Sequence, residues 1–231
     1  MRYNDREDAG RRLAAALPQF RERPDTVVLG LARGGIPVAA AVAAALHLPL
    51  GALLVRKLGI PGHEETAYGA LALAPPPATD APPTERIVRI LNRPLLPRMR
   101  EYGIGQELLD QVESRERREL LRRAGSYPAL RHDLHGRTVV LVDDGLATGA
   151  TMRAAVEAVR GAGAAAVVVA VPVASLEAHT SISRVADSVL SLHLPGNFNA
   201  VGSYYRNFNQ LGDRDVVGML RAAGADSPRQ R

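Results

Sequence analysis

Asp143 and Asp144 are adjacent carboxylates placed directly after the run Val139-Val140-Leu141-Val142. Four β-branched or leucyl residues in a row read as a strand buried on both faces. The two acids therefore stand at the strand's carboxyl end, where open α/β sheets hold their ligands. A turn of mostly small residues follows, Gly145-Leu146-Ala147-Thr148-Gly149-Ala150-Thr151, and residues 152–160 then carry helical periodicity. A helix N-terminus offers unpaired N–H groups and a favourable dipole to an anion such as a phosphate. Thr148 and Thr151 add hydroxyl donors, while Gly149 and Ala150 let the backbone come close. Two carboxylates beside such a cradle would repel the anion unless something separates them, and ribose hydroxyls, with or without a divalent metal, are natural separators. Read alone, the Asp pair is equally an N-cap with a solvated neighbour.

A second strand–turn–helix lies near the N-terminus. Residues 26–31 read as a buried strand, Arg33-Gly34-Gly35 as its turn, and Pro37 suits the first turn of a helix running to Leu46. An ordinary glycine-rich loop would look the same. A strand over residues 50–55 ends in Arg56-Lys57, two cations that either snorkel to solvent or face the turns.

The thirteen residues from Val139 to Thr151 resemble the PRPP-binding signature of type I phosphoribosyltransferases: a hydrophobic strand, two acids, a small Thr-Gly turn. The resemblance extends in motif order over about residues 1 to 218. It is nearest a bacterial branch carrying Arg-Gly-Gly, Val-Arg-Lys-Leu-Gly and Glu…Ala…Gly-Ala. It implies that Asp143 and Asp144 hold the ribose 2′ and 3′ hydroxyls and that Ala147, Thr148, Gly149, Ala150 and Thr151 wrap the 5-phosphate. Arg33, Gly34 and Gly35, with Arg56 and Lys57, would face the diphosphate; Arg33, Lys57, Asp143 and Asp144 form the catalytic set. The implied reaction transfers a phosphoribosyl group from PRPP to a nitrogenous base or amine and releases pyrophosphate. Magnesium would bridge substrate oxygens, meeting Asp143 and Asp144 through ribose or water. A flexible loop over about 57–83 would act as a lid, with Glu65 meeting the nucleophile or metal; a solvated loop carboxylate is the competing reading. Several 6-oxopurine enzymes carry an acid just before the Thr-Gly. This chain has Ala147 there, which argues against that acceptor type.

The elements that must position these residues alternate between strand and helix. A first helix capped by Asn4 or Asp5 is expected to run to about residue 23. Residues 85–91 read as an edge strand, 105–123 as a charged helix, 164–171 as a strand closed by Pro172, 175–185 as a helix and 188–194 as a last strand. This order predicts an α/β fold with a mainly parallel, doubly wound sheet, a lid loop and a small hood or insert over about 92–124. One domain over 1–223 and a frayed tail over 224–231 are expected. The C-terminal stretch 195–209 holds four of the nine Phe and Tyr residues, so Phe198, Tyr205 and Phe208 are candidates to stack on a base. Packing against a sheet edge would use them equally well.

Composition narrows the functional classes. Zero cysteines exclude disulfides, thiolate zinc sites and a Cys nucleophile, and fit a cytoplasmic protein. No run reaches the eighteen apolar residues of a membrane span. The net charge of +5 suits a polyanionic ligand and also a nucleic-acid binder. A PRPP- or nucleotide-binding regulator using a basic surface toward nucleic acid or protein is therefore the alternative function, and a homodimer is an open assembly. His132 and His135 lie in a loop without helical or strand support, so no metal site is read there.

Overall fold

The computed structural model describes residues 2–75, 82–130 and 133–225, without the side chains of residues 64, 65, 224 and 225. Its strands are β1 (Thr26–Ala32), β2 (Leu50–Ile60), β3 (His63–Leu73), β4 (Ile87–Leu91), β5 (Thr138–Val142), β6 (Ala166–Val173) and β7 (Ser188–His193). The helices are α1 (Arg6–Ala15), α2 (Gly35–Leu46), α3 (Leu95–Glu101), α4 (Gln106–Ala124), α5 (Ala150–Gly161), α6 (Leu176–Ile182) and α7 (Asp213–Ala225). One sheet has the order β4-β3-β2-β1-β5-β6-β7. The pairs β2/β1, β1/β5, β5/β6 and β6/β7 are parallel, and β3 runs antiparallel to both β2 and β4. The expected doubly wound α/β sheet is present.

Valine-rich strands form here because both faces are covered. Val27, Leu29, Val139, Leu141, Val167 and Val169 face one core with Met152, Val156 and Val159 of α5. Their neighbours Val28, Val140, Val142 and Val168 face the other core with Leu13 and Leu17, and with Val38, Val42 and Leu46 of α2. The chain leaves β1 through α2 toward β2 on one side, and leaves β5 through α5 toward β6 on the other. The winding reverses between β1 and β5, so the turns after these two strands diverge and open a crevice at their carboxyl ends. A third core joins Leu58, Tyr68 and Leu71 of the β2–β3 arms to Met99, Leu109, Leu120, Val216 and Leu220 of α3, α4 and α7.

Several expectations need correction. The strand expected to stop at Val55 continues to Ile60 and turns at Pro61-Gly62 into β3. Residues 57–73, expected as loop, are thus largely the paired arms of a hairpin, because Leu58, Ala67, Tyr68, Ala70 and Leu71 are buried on it. Residues 76–81, the rest of the expected lid apart from its ends, lie outside the described residues. The first helix ends at Ala15, since Pro18 opens a separate 3₁₀ turn. Strand β6 passes through Pro172, whose missing N–H falls beyond the last β5 partner, Ala170. Helix α7 was not anticipated; it takes in residues 224 and 225 of the expected tail, and 226–231 lie outside the described residues.

Candidate active site

The reversal point brings the two turns read from the sequence into contact. A Cβ on Gly35 would stand 2.6 Å from the Val142 carbonyl oxygen and 2.9 Å from the Asp143 Cα, and one on Gly34 would collide with the Asp144 carboxylate. Only residues without a side chain let the Arg-Gly-Gly turn lie on the Asp pair. The Ala32–Arg33 peptide is cis. Arg33, Gly34, Arg56, Lys57, Asp143, Asp144 and Thr151 all line one cleft of about 610 Å³, together with Arg6, Arg115, Glu116, Arg123 and Phe208.

A smaller cavity of about 160 Å³ adjoins it, lined by Lys57, Gly145, Leu146, Ala147, Thr148, Gly149, Ala150, Thr151 and Val201. Lys57 borders both spaces. Gly149 turns into α5 with φ of 75°, a left-handed conformation that glycine adopts without strain. The N-cap residues of α5 and α2 are the glycines Gly149 and Gly34, which offer no capping side chain, whereas Asp5 caps α1 and Ser175 caps α6. In α2 the Ile36 N–H goes to the Arg33 carbonyl and Pro37 has none, and in α5 the Ala150 N–H meets Thr148 Oγ1 at 3.5 Å, so an external acceptor is left the N–H groups of Gly35, Thr151 and Met152. Ser175 helps to shape the small cavity, since its hydroxyl donates to the Ala147 carbonyl at 2.8 Å.

The carboxylates are held from behind. The Asp144 N–H donates to Asp143 Oδ1 at 2.9 Å, and the Tyr205 hydroxyl donates to the Asp144 carbonyl oxygen at 2.6 Å. Burial and the charge of Asp144 push the Asp143 carboxyl well above the usual carboxylate range. Burial also raises Asp144, with the Arg6 guanidinium opposing it. Two acids kept together in a poorly solvated crevice store unfavourable energy that hydroxyl donors or cations would relieve.

The cations differ in how they are engaged. Among the described residues the Arg33 guanidinium makes no hydrogen bond or ion pair, while the Arg33 carbonyl accepts from the Ile36 N–H. Arg56 Nε donates to Glu116 Oε2 at 2.7 Å, and Arg115 Nε to Glu116 Oε1 at 3.1 Å. Glu116 is only 6% exposed and reaches the cleft from α4. Arg123 is equally buried and is tied to Glu119 at 2.8 Å. The basic run on α4 is thus largely matched by acids on its own helix: Arg117 meets Glu113, and Arg122 meets Glu119.

The aromatic candidates separate. Phe208 lines the cleft, with the Arg6 guanidinium 3.9 Å above its ring centroid. Tyr205 does not offer a face to a base; it is 2% exposed, packs on Tyr3 and spends its hydroxyl on Asp144. Phe198 stacks on Tyr204 and does not border the cleft. The Glu65 side chain lies outside the described residues.

Sequence reasoning missed Arg6, Glu116 and Arg123. On α4 a signal existed: Leu109, Val112, Glu116, Leu120 and Arg123 are the buried residues of the helix and follow helical spacing, so two charges interrupt an apolar stripe. Arg6 carried no such signal.

The crevice holds two strand-to-helix turns with a carboxylate pair between them, at the carboxyl ends of the strands, where open α/β sheets hold their ligands. The phosphoribosyl transferase domain model matches residues 2–209, and the chain belongs to that family. Two Mycobacterium tuberculosis proteins named provisionally as phosphoribosyl transferases are 42% identical over 226 residues, 97% of this chain. The chain spans about half the length of these relatives, 47%. The crystal structure of the TT1426 protein of Thermus thermophilus is 39% identical, covers 95% of this chain and 98% of its own, and superposes with a TM-score of 0.72. The AQ2163 protein of Aquifex aeolicus shares the fold at 13% identity, a TM-score of 0.51 and coverage of 85% and 78%. Among the described residues no helix is long and apolar enough to cross a membrane.

Proposed function

We propose that this chain is a cytoplasmic phosphoribosyltransferase that takes PRPP and a nitrogenous base or amine and releases pyrophosphate. The observation that carries this reading is the carboxylate pair lying against the Arg-Gly-Gly turn, between two helix N-termini whose N-cap residues are glycines. Ribose hydroxyls would donate to the Asp143 and Asp144 carboxylates, the 5-phosphate would accept from the turn at residues 147–151, and the diphosphate would face Arg33 and Lys57. In the reaction the bond from the anomeric carbon to the diphosphate oxygen breaks, and a bond from that carbon to the acceptor nitrogen forms. The acceptor's proton is lost, and the sugar passes through an oxocarbenium-like state. Arg33 and Lys57 would stabilise the charge gathering on the leaving diphosphate.

The donor set fits magnesium carried largely by substrate. Among the described residues no cluster of three or more His, Cys, Asp or Glu side chains could hold an ion. An ion near Asp143 and Asp144 would therefore draw its other ligands from phosphate, ribose and water oxygens, as magnesium commonly does. Bound there, it would neutralise the diphosphate. Ala147 removes the acid that several 6-oxopurine enzymes carry, so adenine, uracil and amine acceptors come first. The test is phosphorus NMR of PRPP with magnesium and a panel of bases and amines. Pyrophosphate released only when one acceptor is present supports transfer; PRPP left intact with every acceptor contradicts it.

A further inference from the structure

Arg6 stands 138 residues from Asp144 in sequence yet makes three contacts at the cleft. Its Nε donates to Asp144 Oδ2 at 2.9 Å, its Nη1 donates to the Asn209 carbonyl at 2.9 Å, and its guanidinium lies on the Phe208 ring. The side chains of Arg6 and Asp144 are 12% and 14% exposed, so this pair is largely desolvated. The polypeptide around it is pinned as well: the Tyr3 N–H donates to the Tyr204 carbonyl, and the N–H of Arg206 to the Tyr3 carbonyl.

These contacts divide the oxygens of the acidic pair. Arg6 occupies Oδ2 of Asp144, and the Asp144 N–H occupies Oδ1 of Asp143. Among the described residues, Oδ1 of Asp144 and Oδ2 of Asp143 accept no hydrogen bond from the protein. One acceptor oxygen on each acid remains, and a vicinal diol has two hydroxyls to donate. Charge works in the same direction. Arg6 offsets one of two carboxylates, so an anionic sugar phosphate meets less repulsion.

Resting on the phosphoribosyl reading above, we infer that Arg6 is a positioning residue for the ribose end of the substrate. It acts through Asp144, by fixing which carboxylate oxygen stays open and by balancing the charge behind it. Its role belongs to the sugar and not to the diphosphate, whose expected partners Arg33 and Lys57 are elsewhere on the cleft lining. Phe208, covered by the guanidinium, serves to hold Arg6 in place.

The experiment is calorimetric titration of ribose 5-phosphate and of inorganic pyrophosphate into the full chain and into Arg6→Ala, Arg6→Lys, Asp144→Asn and the double variant Arg6→Ala/Asp144→Asn. Arg6→Ala should weaken ribose 5-phosphate about tenfold, as loss of a charge-assisted positioning contact does, and pyrophosphate less than about twofold. Arg6→Lys keeps the cation and should recover part of the lost sugar-phosphate affinity. The double variant should bind ribose 5-phosphate no more weakly than Asp144→Asn alone, since residues acting as one unit are not additive. Additive losses, or equal weakening toward both ligands, would overturn the positioning role while leaving the phosphoribosyl reading standing. Should Arg6→Ala fail to fold, the conservative variant decides by the same comparison: equal loss toward both ligands counts against the role, a loss confined to the sugar phosphate for it. A wild-type chain that binds neither ligand would remove the reading and the inference together.

Discussion

The floor of the cleft comes from two short strand-to-helix turns, residues 32–35 and 143–151, whereas its wall is assembled from Arg6, Glu116, Arg123 and Phe208 on separate parts of the chain. Floor residues are held by backbone geometry: glycine contacts, a left-handed Gly149, and N–H groups fixed by helix starts. Wall residues are held by ion pairs and ring contacts across long sequence separations, such as Arg56 with Glu116 and Arg6 with Asp144. The floor therefore keeps, among the described residues, the Arg33 guanidinium and one oxygen of each acid uncommitted, while the wall's charges are already engaged in the folded chain. A change in the floor should cost function at little cost to stability, and a change in the wall should cost stability as well.

The sharpest separation is expected from Arg33→Ala. The Arg33 guanidinium makes no hydrogen bond or ion pair among the described residues, so the melting temperature should stay within error. The rate of pyrophosphate release should nevertheless fall about 100-fold, the scale of losing one preorganised charge at a developing anion. Steady-state rates and a thermal scan on the same sample check both halves; a large loss of stability would break the contrast.

Glu116→Ala should show the opposite balance. It strips the counter-charge from Arg56 and Arg115 at a site where the carboxylate is buried, and should destabilise the chain by about 2 kcal/mol in urea titration. Unchanged stability would mean that the α4 wall is not held as described.

Asp143→Asn tests the energy stored in the floor. Burial and Asp144 raise the Asp143 carboxyl, so the folded chain binds more protons than the unfolded one above the ordinary value of 3.8. This group then contributes stability at low pH that is lost as pH rises through the folded-state value. The amide removes that loss, and the variant should be more stable at neutral pH by about 1 kcal/mol while binding PRPP more weakly. Parallel melts near pH 4 and pH 7.5 should show the gain at the higher pH only. The smallest effect is set outside both regions: a Cβ on Gly218 of α7 meets nothing within 4 Å, so Gly218→Ala should stabilise by about 0.5 kcal/mol and leave ligand binding unchanged.

The same division explains what could be read in advance. Valine-rich strands and the two turns are local in sequence, so residues 26–35 and 139–151 announced both the sheet and the floor. Lys57 was legible as a cation after a strand, although the strand ran on to Ile60. Tyr205 was misjudged because an aromatic residue in a loop looks the same whether it awaits a base or fills a core. Only the packing against Tyr3 and the bond to the Asp144 carbonyl distinguish the two. Arg6 could not be found, since nothing around an arginine at the start of a helix reports a carboxylate 138 residues away. Glu116 and Arg123 are hidden within a charged run, although their spacing with Leu109, Val112 and Leu120 places them on its apolar side.

Calorimetric titration of the wild-type chain with PRPP, with and without magnesium and against ribose 5-phosphate, tests the central claim most directly. The account predicts that PRPP binds more tightly than ribose 5-phosphate and that magnesium strengthens PRPP alone, because only PRPP carries the diphosphate proposed to face Arg33 and Lys57. Equal affinity for the two ligands in the presence of magnesium would contradict the assignment of that end of the cleft.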